Sequence, residues 1–326
     1  MSKIKPVKVL VIRFSSIGDI VLTTPVMRGL HEQLGAEVHF LTKALYKDLV
    51  SHNRHVFHVH TFNESLSEVT AELVSHDFDY IIDLHKNIRS KKIVSVLKSK
   101  TYTVDKRSLD RWLLVTMKID RLKGNHIVDR YMNTVLALGV KKDSKGLDIF
   151  LPENGYKNQD LPDSFIVLVV GTKHKTKDIP IQLAKDIVSN LQENVVLIGG
   201  KEHKETADAI AINTSVFNLV GKTSLLDSIA ILALAKVVIT PDTGMMHITA
   251  ALKKPIIAIY GSTASSLGFT PYMPENEDLY KIIEEKTLSC RPCTKMGRNS
   301  CPKNHFNCMN NLDYLTVVEK ARAFID

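Results

Sequence analysis

Two short segments carry side chains that could act on a ligand bearing hydroxyl or phosphate groups. Ser15-Ser16-Ile17-Gly18-Asp19 follows an apolar run and ends in an acid. A carboxylate at the mouth of a strand-to-helix turn can accept the proton of an incoming hydroxyl and make its oxygen a nucleophile; its competing role there is helix capping. Pro241-Asp242-Thr243-Gly244-Met245-Met246-His247 joins the apolar residues 237–240 to a short Ala-rich helix. First-turn N–H groups lack internal partners and lie at the positive end of the helix dipole, and Gly244 lets a phosphate approach the chain closely. On the heptapeptide alone, an ordinary αβ junction fits equally well, with Asp242 or Thr243 as N-cap and His247 as a first-turn residue.

The elements that must position these residues read as an α/β fold. Residues 7–14 form a β-branched, nearly continuous apolar run, the signature of a strand buried on both faces of a parallel sheet. Thr24 and Pro25 suit the N-cap and first turn of a helix running to about Leu34, and strands are predicted at 37–41 and 80–84. Residues 139–162 are rich in Lys, Asp, Gly and Asn and read as a connection between domains. The pattern then restarts, with strands predicted at 165–170, 195–198, 237–240 and 256–260 and a helix from about Ile181. The expectation is two doubly wound halves with a cleft between them, ligands lying beyond the carboxyl ends of the strands.

Composition narrows the function classes. With 326 residues, 44% of them hydrophobic, the chain is long enough for two cores and is not disordered. The opening apolar run is too short for a signal peptide, and the longest apolar stretch, near 229–239, is broken by Lys236, so a cytoplasmic location is expected. The net charge of +8 and pI near 9.1 favour an anionic partner. Basic residues crowd from Lys86 through Arg89 and Arg107 to Lys123, opposed only by Asp105, Asp110 and Asp120. Aromatic content is only 6%, and just Tyr102 and Trp112, the one Trp, stand among the basic residues of this stretch, which argues against nucleic acid. Gly18 stands alone, so the dinucleotide fingerprint is missing, and no Walker-type loop is present.

Cys290, Cys293, Cys301 and Cys308 are all the cysteines of the chain. A C-x-x-C followed by two further thiols suits a tetrahedral structural zinc, the alternative being four reduced thiols, with disulfides disfavoured in a reducing compartment.

Residues 18–25 (GDIVLTTP) and 242–251 (DTGMMHITAA) together resemble glycosyltransferase family 9, which includes the ADP-heptose:lipopolysaccharide heptosyltransferases. Further similar segments occur in order: Ile82-Asp83-Leu84 with Arg89-Ser90, His126 to Tyr131, Gly221 to Leu225, Pro255, and Tyr260 to Thr263. The resemblance implies a GT-B architecture of two facing Rossmann-like domains and an inverting transfer of a heptose, or a related sugar, from a nucleotide-diphosphate donor. The acceptor would be an anionic, lipid-linked lipopolysaccharide inner core, reached by peripheral contact with the inner face of the cytoplasmic membrane. It assigns residues 1–150 to acceptor binding, 151–163 to a linker, 164–311 to donor binding, and 312–326 to a helix packing back toward the first domain. Asp19 would be the general base. The donor would meet Thr172, Lys173, Lys177, Asp242, Thr243, Gly244, Met245 and His247, and the acceptor Ser16, Gly18, Lys86, Arg89 and Arg107. No catalytic metal is implied. Two departures stand out: Ile179 replaces the tryptophan of the family's K-x-W-P segment, and Leu226 stands where some members place an acid for the donor ribose, with Asp227 one residue later. A GT-B epimerase or hydrolase and a zinc-stabilised anion-binding protein are the alternatives.

Overall fold

The computed structural model describes residues 5–152 and 161–325, so residues 153–160 of the expected linker lie outside the described residues. The chain divides into two units, Met1–Lys106 with Asn125–Pro152, and Arg107–Gly124 with Glu153–Asp326.

In the first unit β1 (Lys8–Ile12) is the centre: Val9, Leu10, Val11 and Ile12 are fully buried because helices cover both faces of the sheet. It pairs in parallel with β2 (Glu37–Lys43) on one side, and β2 pairs in parallel with β3 (His58–Phe62). On the other side lie β4 (Tyr80–Asp83) and β5 (Lys100–Thr103), giving the parallel order β3-β2-β1-β4-β5. The order reverses between β1 and β4, so the loops leaving these two strands open at the position where doubly wound sheets bind ligands.

The second unit repeats the plan with six parallel strands, β6 (Phe165–Val169), β7 (Asn194–Ile198), β8 (Val216–Asn218), β9 (Val237–Pro241), β10 (Ile256–Tyr260) and β11 (Tyr280–Glu284). Their order is β11-β10-β9-β6-β7-β8, with the reversal between β6 and β9. The chain leaves β6 through Gly171, whose φ is +79°; a Cβ there would lie 2.1 Å from the His203 ring, so both backbone and space require glycine.

Two assignments differ from the expectation. Residues 107–124 belong to the second unit, because Leu114 and Leu122 bury against Leu267, and Lys118 Nζ donates to the carbonyls of Cys290 (3.1 Å) and Pro292 (2.7 Å). The last helix, Tyr314–Arg322, buries Val317, Val318 and Ala321 in the core of the second unit together with Leu183 and Ile187, and belongs to that unit. Its apolar spacing specifies a buried face but not which core receives it.

Candidate active site

In the first unit, Asp19 sits in the short helix Ile17–Val21 that follows β1. Ser16 is its N-cap, and Ser16 Oγ donates to Asp19 Oδ2 at 3.0 Å. Asp19 Oδ1 pairs with Arg13 Nη2 at 2.7 Å. Arg13, the residue after β1, is itself fixed: Nε donates to the Ser15 carbonyl (2.8 Å) and Nη1 to the Leu84 carbonyl (2.7 Å) and Tyr131 Oη (3.0 Å). Burial raises the Asp19 carboxyl, but the Arg13 charge and the Ser16 bonds outweigh it and hold the pKa below the ordinary value. Asp19 is therefore ionised and ready to accept a proton, with 27% of its side chain exposed.

A folded-state value below the unfolded one contributes stability above the unfolded pKa and loses it as pH falls through the folded one. The acid limb of any activity using Asp19 should thus lie below the ordinary aspartate value of about 3.9. Replacing Arg13 by Gln removes the largest influence that lowers the Asp19 carboxyl, and the limb should move up. An unmoved kcat profile in Arg13→Gln would contradict the role given to this pair.

The β4 loop completes this end of the unit. Asp83 Oδ1 accepts from the backbone N–H groups of His85 (2.9 Å) and Lys86 (2.7 Å), and Oδ2 from Ser90 Oγ (2.8 Å). This shapes the turn in which Lys86 takes φ +46° and starts the helix Ile88–Leu97 with Asn87 as its cap. Lys86 is exposed, while the Arg89 guanidinium lies 5.7 Å from the centroid of Phe14. His85, against Phe14 at 4.7 Å, is pushed down to about 3 by burial and by Arg13 and Lys106, so it is a neutral imidazole. Arg107 lies in the second unit and pairs with Asp110.

In the second unit, the loops after β6 and β9 meet at the switch point. Lys177 Nζ lies 3.0 Å from Asp242 Oδ2, with both side chains nearly buried, and Thr263 Oγ1 donates to the same oxygen at 2.7 Å. Lys173 and Lys175 of the same loop are exposed, so the structure singles out Lys177 as the cation beside Asp242. Thr172 Oγ1 shapes the loop by donating to the His174 carbonyl at 2.8 Å. Thr243 caps the helix Gly244–Ala251, its hydroxyl accepting from Met245 N–H at 3.1 Å. Gly244 opens the helix, Met245 is half-buried and His247 is buried. The remaining first-turn donors have no helical acceptor, which leaves an anion-binding end beside a lysine. Asp227 is engaged elsewhere: its carboxylate accepts from Ser224 N–H (3.0 Å) and Oγ (2.7 Å) in a capping box, and Ile179 is buried in the core.

The cysteine segment backs this site. Cys290, Cys293, Cys301 and Cys308 line one cavity with His305. Arg291, between the first two, donates through Nε to the Gly261 carbonyl (2.6 Å) and through Nη2 to the carbonyls of Tyr260 (3.1 Å) and Thr263 (2.8 Å). Arg298 N–H donates to Thr176 Oγ1 at 2.8 Å, which ties the segment to the loop of Lys177. Burial raises Cys293 and pushes Cys308 up to about 11, whereas Cys301 is lowered: burial opposes ionisation, but the N–H groups of Phe306, Lys303, His305 and Asn304 outweigh it. Four backbone donors around the sulfur favour the thiolate over its ordinary balance, and the thiolate is the form that binds metal.

Arg13 and His85 carry no expectation from the sequence, and Tyr131 and Thr263 stand there only within family-like segments, without an assigned role. The available signal was positional: Arg13 directly follows a fully buried central strand, where a charge needs a partner.

Residues 67–303 match the model of "Glycosyltransferase family 9 (heptosyltransferase)". Lipooligosaccharide heptosyltransferase 2 of Haemophilus influenzae is 36% identical over 80 residues, 24% of this chain and 22% of that protein. Lipopolysaccharide heptosyltransferase 1 of Escherichia coli is 24% identical over 292 residues, covering 80% and 89% of the two chains. The solved structure of E. coli ADP-heptose lps heptosyltransferase II superposes with a TM-score of 0.74 at 19% identity, over 98% of each chain. The matched segments span only 22% to 44% of the length of the first curated relatives. With a family match running from the helix Ser67–Ser75 past β11, and the same fold in solved heptosyltransferases, the chain belongs to glycosyltransferase family 9.

Proposed function

We propose that this chain is an inverting heptosyltransferase that moves a heptose from ADP-heptose to an anionic lipopolysaccharide inner-core acceptor. The observation that carries the reading is Lys177 held against Asp242 at the head of a Thr243-capped helix, with an ionised Asp19 at the equivalent switch point of the other unit. Asp19 accepts the proton of the acceptor hydroxyl as that oxygen bonds to the anomeric carbon. The sugar–phosphate bond breaks on the opposite face, and the departing diphosphate takes its charge to Lys177 and the N–H groups of Gly244 and its neighbours. In this reading these donors suffice without a catalytic metal, and nucleic acid is not a partner. Mass analysis of products from purified enzyme, ADP-heptose and a heptose-deficient core acceptor tests it; an acceptor of unchanged mass would refute it.

The acceptor is lipid-linked, which favours an enzyme working at the cytoplasmic face of the inner membrane. Among the described residues no helix is long and apolar enough to cross a membrane, so contact would be peripheral. The helix Ser108–Met117 and its continuation expose Leu109 (65%), Trp112 (45%), Met117 (56%) and Ile119 (42%) beside exposed Lys118, Arg121 and Lys123. Exposed apolar and basic side chains in one short segment suit anionic lipid. Flotation should show binding to vesicles with anionic but not neutral headgroups, weakened in Trp112→Ala; equal binding to both vesicle types would exclude this surface.

The four cysteines line one cavity without any three sulfurs lying within 4.8 Å of one another; in the same reading they would draw together on zinc or another thiophilic ion and hold Arg291 and Arg298 in place. Elemental analysis of the purified chain should give about one equivalent of ion, and its removal should lower the thermal midpoint and loosen donor binding. Metal-free protein of unchanged midpoint would mean reduced thiols only.

A further inference from the structure

Four histidines distant in sequence converge in the first unit, on a face that shares no residue with the Asp19 site. Parallel pairing places His39 of β2 opposite His58 of β3, with His60 two residues on along the same face. His76, the C-cap of the helix Ser67–Ser75, closes over them: its ring centroid lies 4.7 Å from that of His39 and 4.9 Å from that of His60. Phe57 and Phe78 pack on His39 at 5.5 Å and 5.0 Å. His39 and His60 are buried, and one ligand atom from each of His39, His60 and His76 lies within 4.8 Å of the others.

The hydrogen-bond arithmetic of this cluster is one cation short. His39 Nε2 lies 3.0 Å from Glu37 Oε1, and His60 Nδ1 lies 2.6 Å from Glu72 Oε1. A carboxylate is an acceptor only, so each of these nitrogens must carry the proton. A neutral imidazole has one proton, so the inner nitrogens, His39 Nδ1 and His60 Nε2, are left as two lone pairs facing each other at 2.8 Å. A metal ion between the inner nitrogens resolves the conflict. Outer carboxylates that fix the tautomer and turn the free nitrogen inward are the usual support of metal-bound histidines. Two nitrogens on one tetrahedral ion stand roughly 3.3 Å apart, so small ring rotations open the space.

We propose that His39 Nδ1, His60 Nε2 and a ring nitrogen of His76 form a binding site for a divalent transition metal of the zinc type, oriented by Glu37 and Glu72. All-imidazole donors suit Zn²⁺, Co²⁺, Ni²⁺ or Cu²⁺ over Mg²⁺ or Ca²⁺. Bound there, the ion clamps β2, β3 and the end of the helix Ser67–Ser75.

Chelator-stripped full-length protein titrated with Co²⁺ tests the site, because Co²⁺ on imidazole gives visible d–d bands without the thiolate charge transfer that the cysteines would produce. Wild type should take up one more equivalent than His76→Ala, and the bands lost should be those without thiolate character. Glu72→Gln, at a half-exposed position that leaves the buried rings in place, should weaken the same site about 10–100-fold. His58→Ala should leave it intact, since a neighbouring group of His58, His60 and Glu72 is the competing ligand set. Equal stoichiometry and affinity in wild type, His76→Ala and Glu72→Gln overturns the proposal, as does a loss that follows His58→Ala instead of His76→Ala.

Discussion

Asp19→Asn should retain ADP-heptose binding and lose transfer, with kcat reduced about 10²–10⁴-fold, the usual contribution of a positioned general base. That corresponds to about 3–5.5 kcal/mol of transition-state stabilisation. The amide keeps the size of the carboxylate; with its oxygen toward Arg13 Nη2 it still accepts there, and its NH2 donates to the Ser16 hydroxyl, which now bonds to Oδ2. What it cannot do is take a proton. The effect should therefore fall on kcat, with the fold and the donor affinity of the second unit unchanged. Steady-state kinetics read against donor titration separates these quantities, and full turnover in Asp19→Asn would remove the residue from the chemistry.

Lys177→Ala should lower kcat/KM about 10²–10³-fold, comparable to removing one donor from a preorganised anion site. Two effects combine. The leaving diphosphate loses its cation, and Asp242, which Lys177 meets at 3.0 Å, is left with only the Thr263 hydroxyl against its charge. An uncompensated carboxylate beside a phosphate site repels the ligand, so the double substitution with Asp242→Asn should recover part of the lost affinity for ADP. Such non-additivity identifies a pair that acts together. Lys173→Ala and Lys175→Ala, at exposed positions of the same loop, should change ADP affinity little. Calorimetric titration showing wild-type ADP affinity in Lys177→Ala would end its assignment to the diphosphate.

The strands legible in the sequence are those buried on both faces. β1, β6, β9 and β10 are rich in Val and Ile and almost wholly buried because helices cover both sides. β3, β5, β8 and β11 were not predicted, and each is outermost in its sheet or short: His58-Val-His-Thr-Phe and Lys100-Thr-Tyr-Thr mix polar residues that edges tolerate. Thr24 was read as an N-cap; the helix instead begins at Thr24 with Thr23 as N-cap and Pro25 in the first turn, a one-residue shift that leaves the proline where its missing N–H costs nothing.

The site divides along similar lines. Asp19 and the Asp242–Gly244 segment stand at strand ends, where local sequence and family resemblance both point. The choice of Lys177 over Lys173 and Lys175 needed three dimensions, because it depends on which side chain turns toward Asp242. Arg13 gains its meaning only from Asp19, Leu84 and Tyr131, which converge through β1, β4 and the helix Ile127–Asn133. The histidine cluster has no local signature at all. His39, His60 and His76 meet because β2 and β3 pair in one particular register, which a reading of spacing along the chain cannot supply.

The central claim is transfer of a sugar by a reaction that requires Asp19. The most direct measurement is mass spectrometry of a heptose-deficient inner-core acceptor incubated with ADP-heptose and either wild-type enzyme or Asp19→Asn. The expected result is an acceptor heavier by one heptose residue, with one ADP released per transfer, for wild type and not for the variant. Consumption of ADP-heptose at the same rate without acceptor, leaving the acceptor mass unchanged, would contradict the transferase reading in favour of a hydrolase or epimerase.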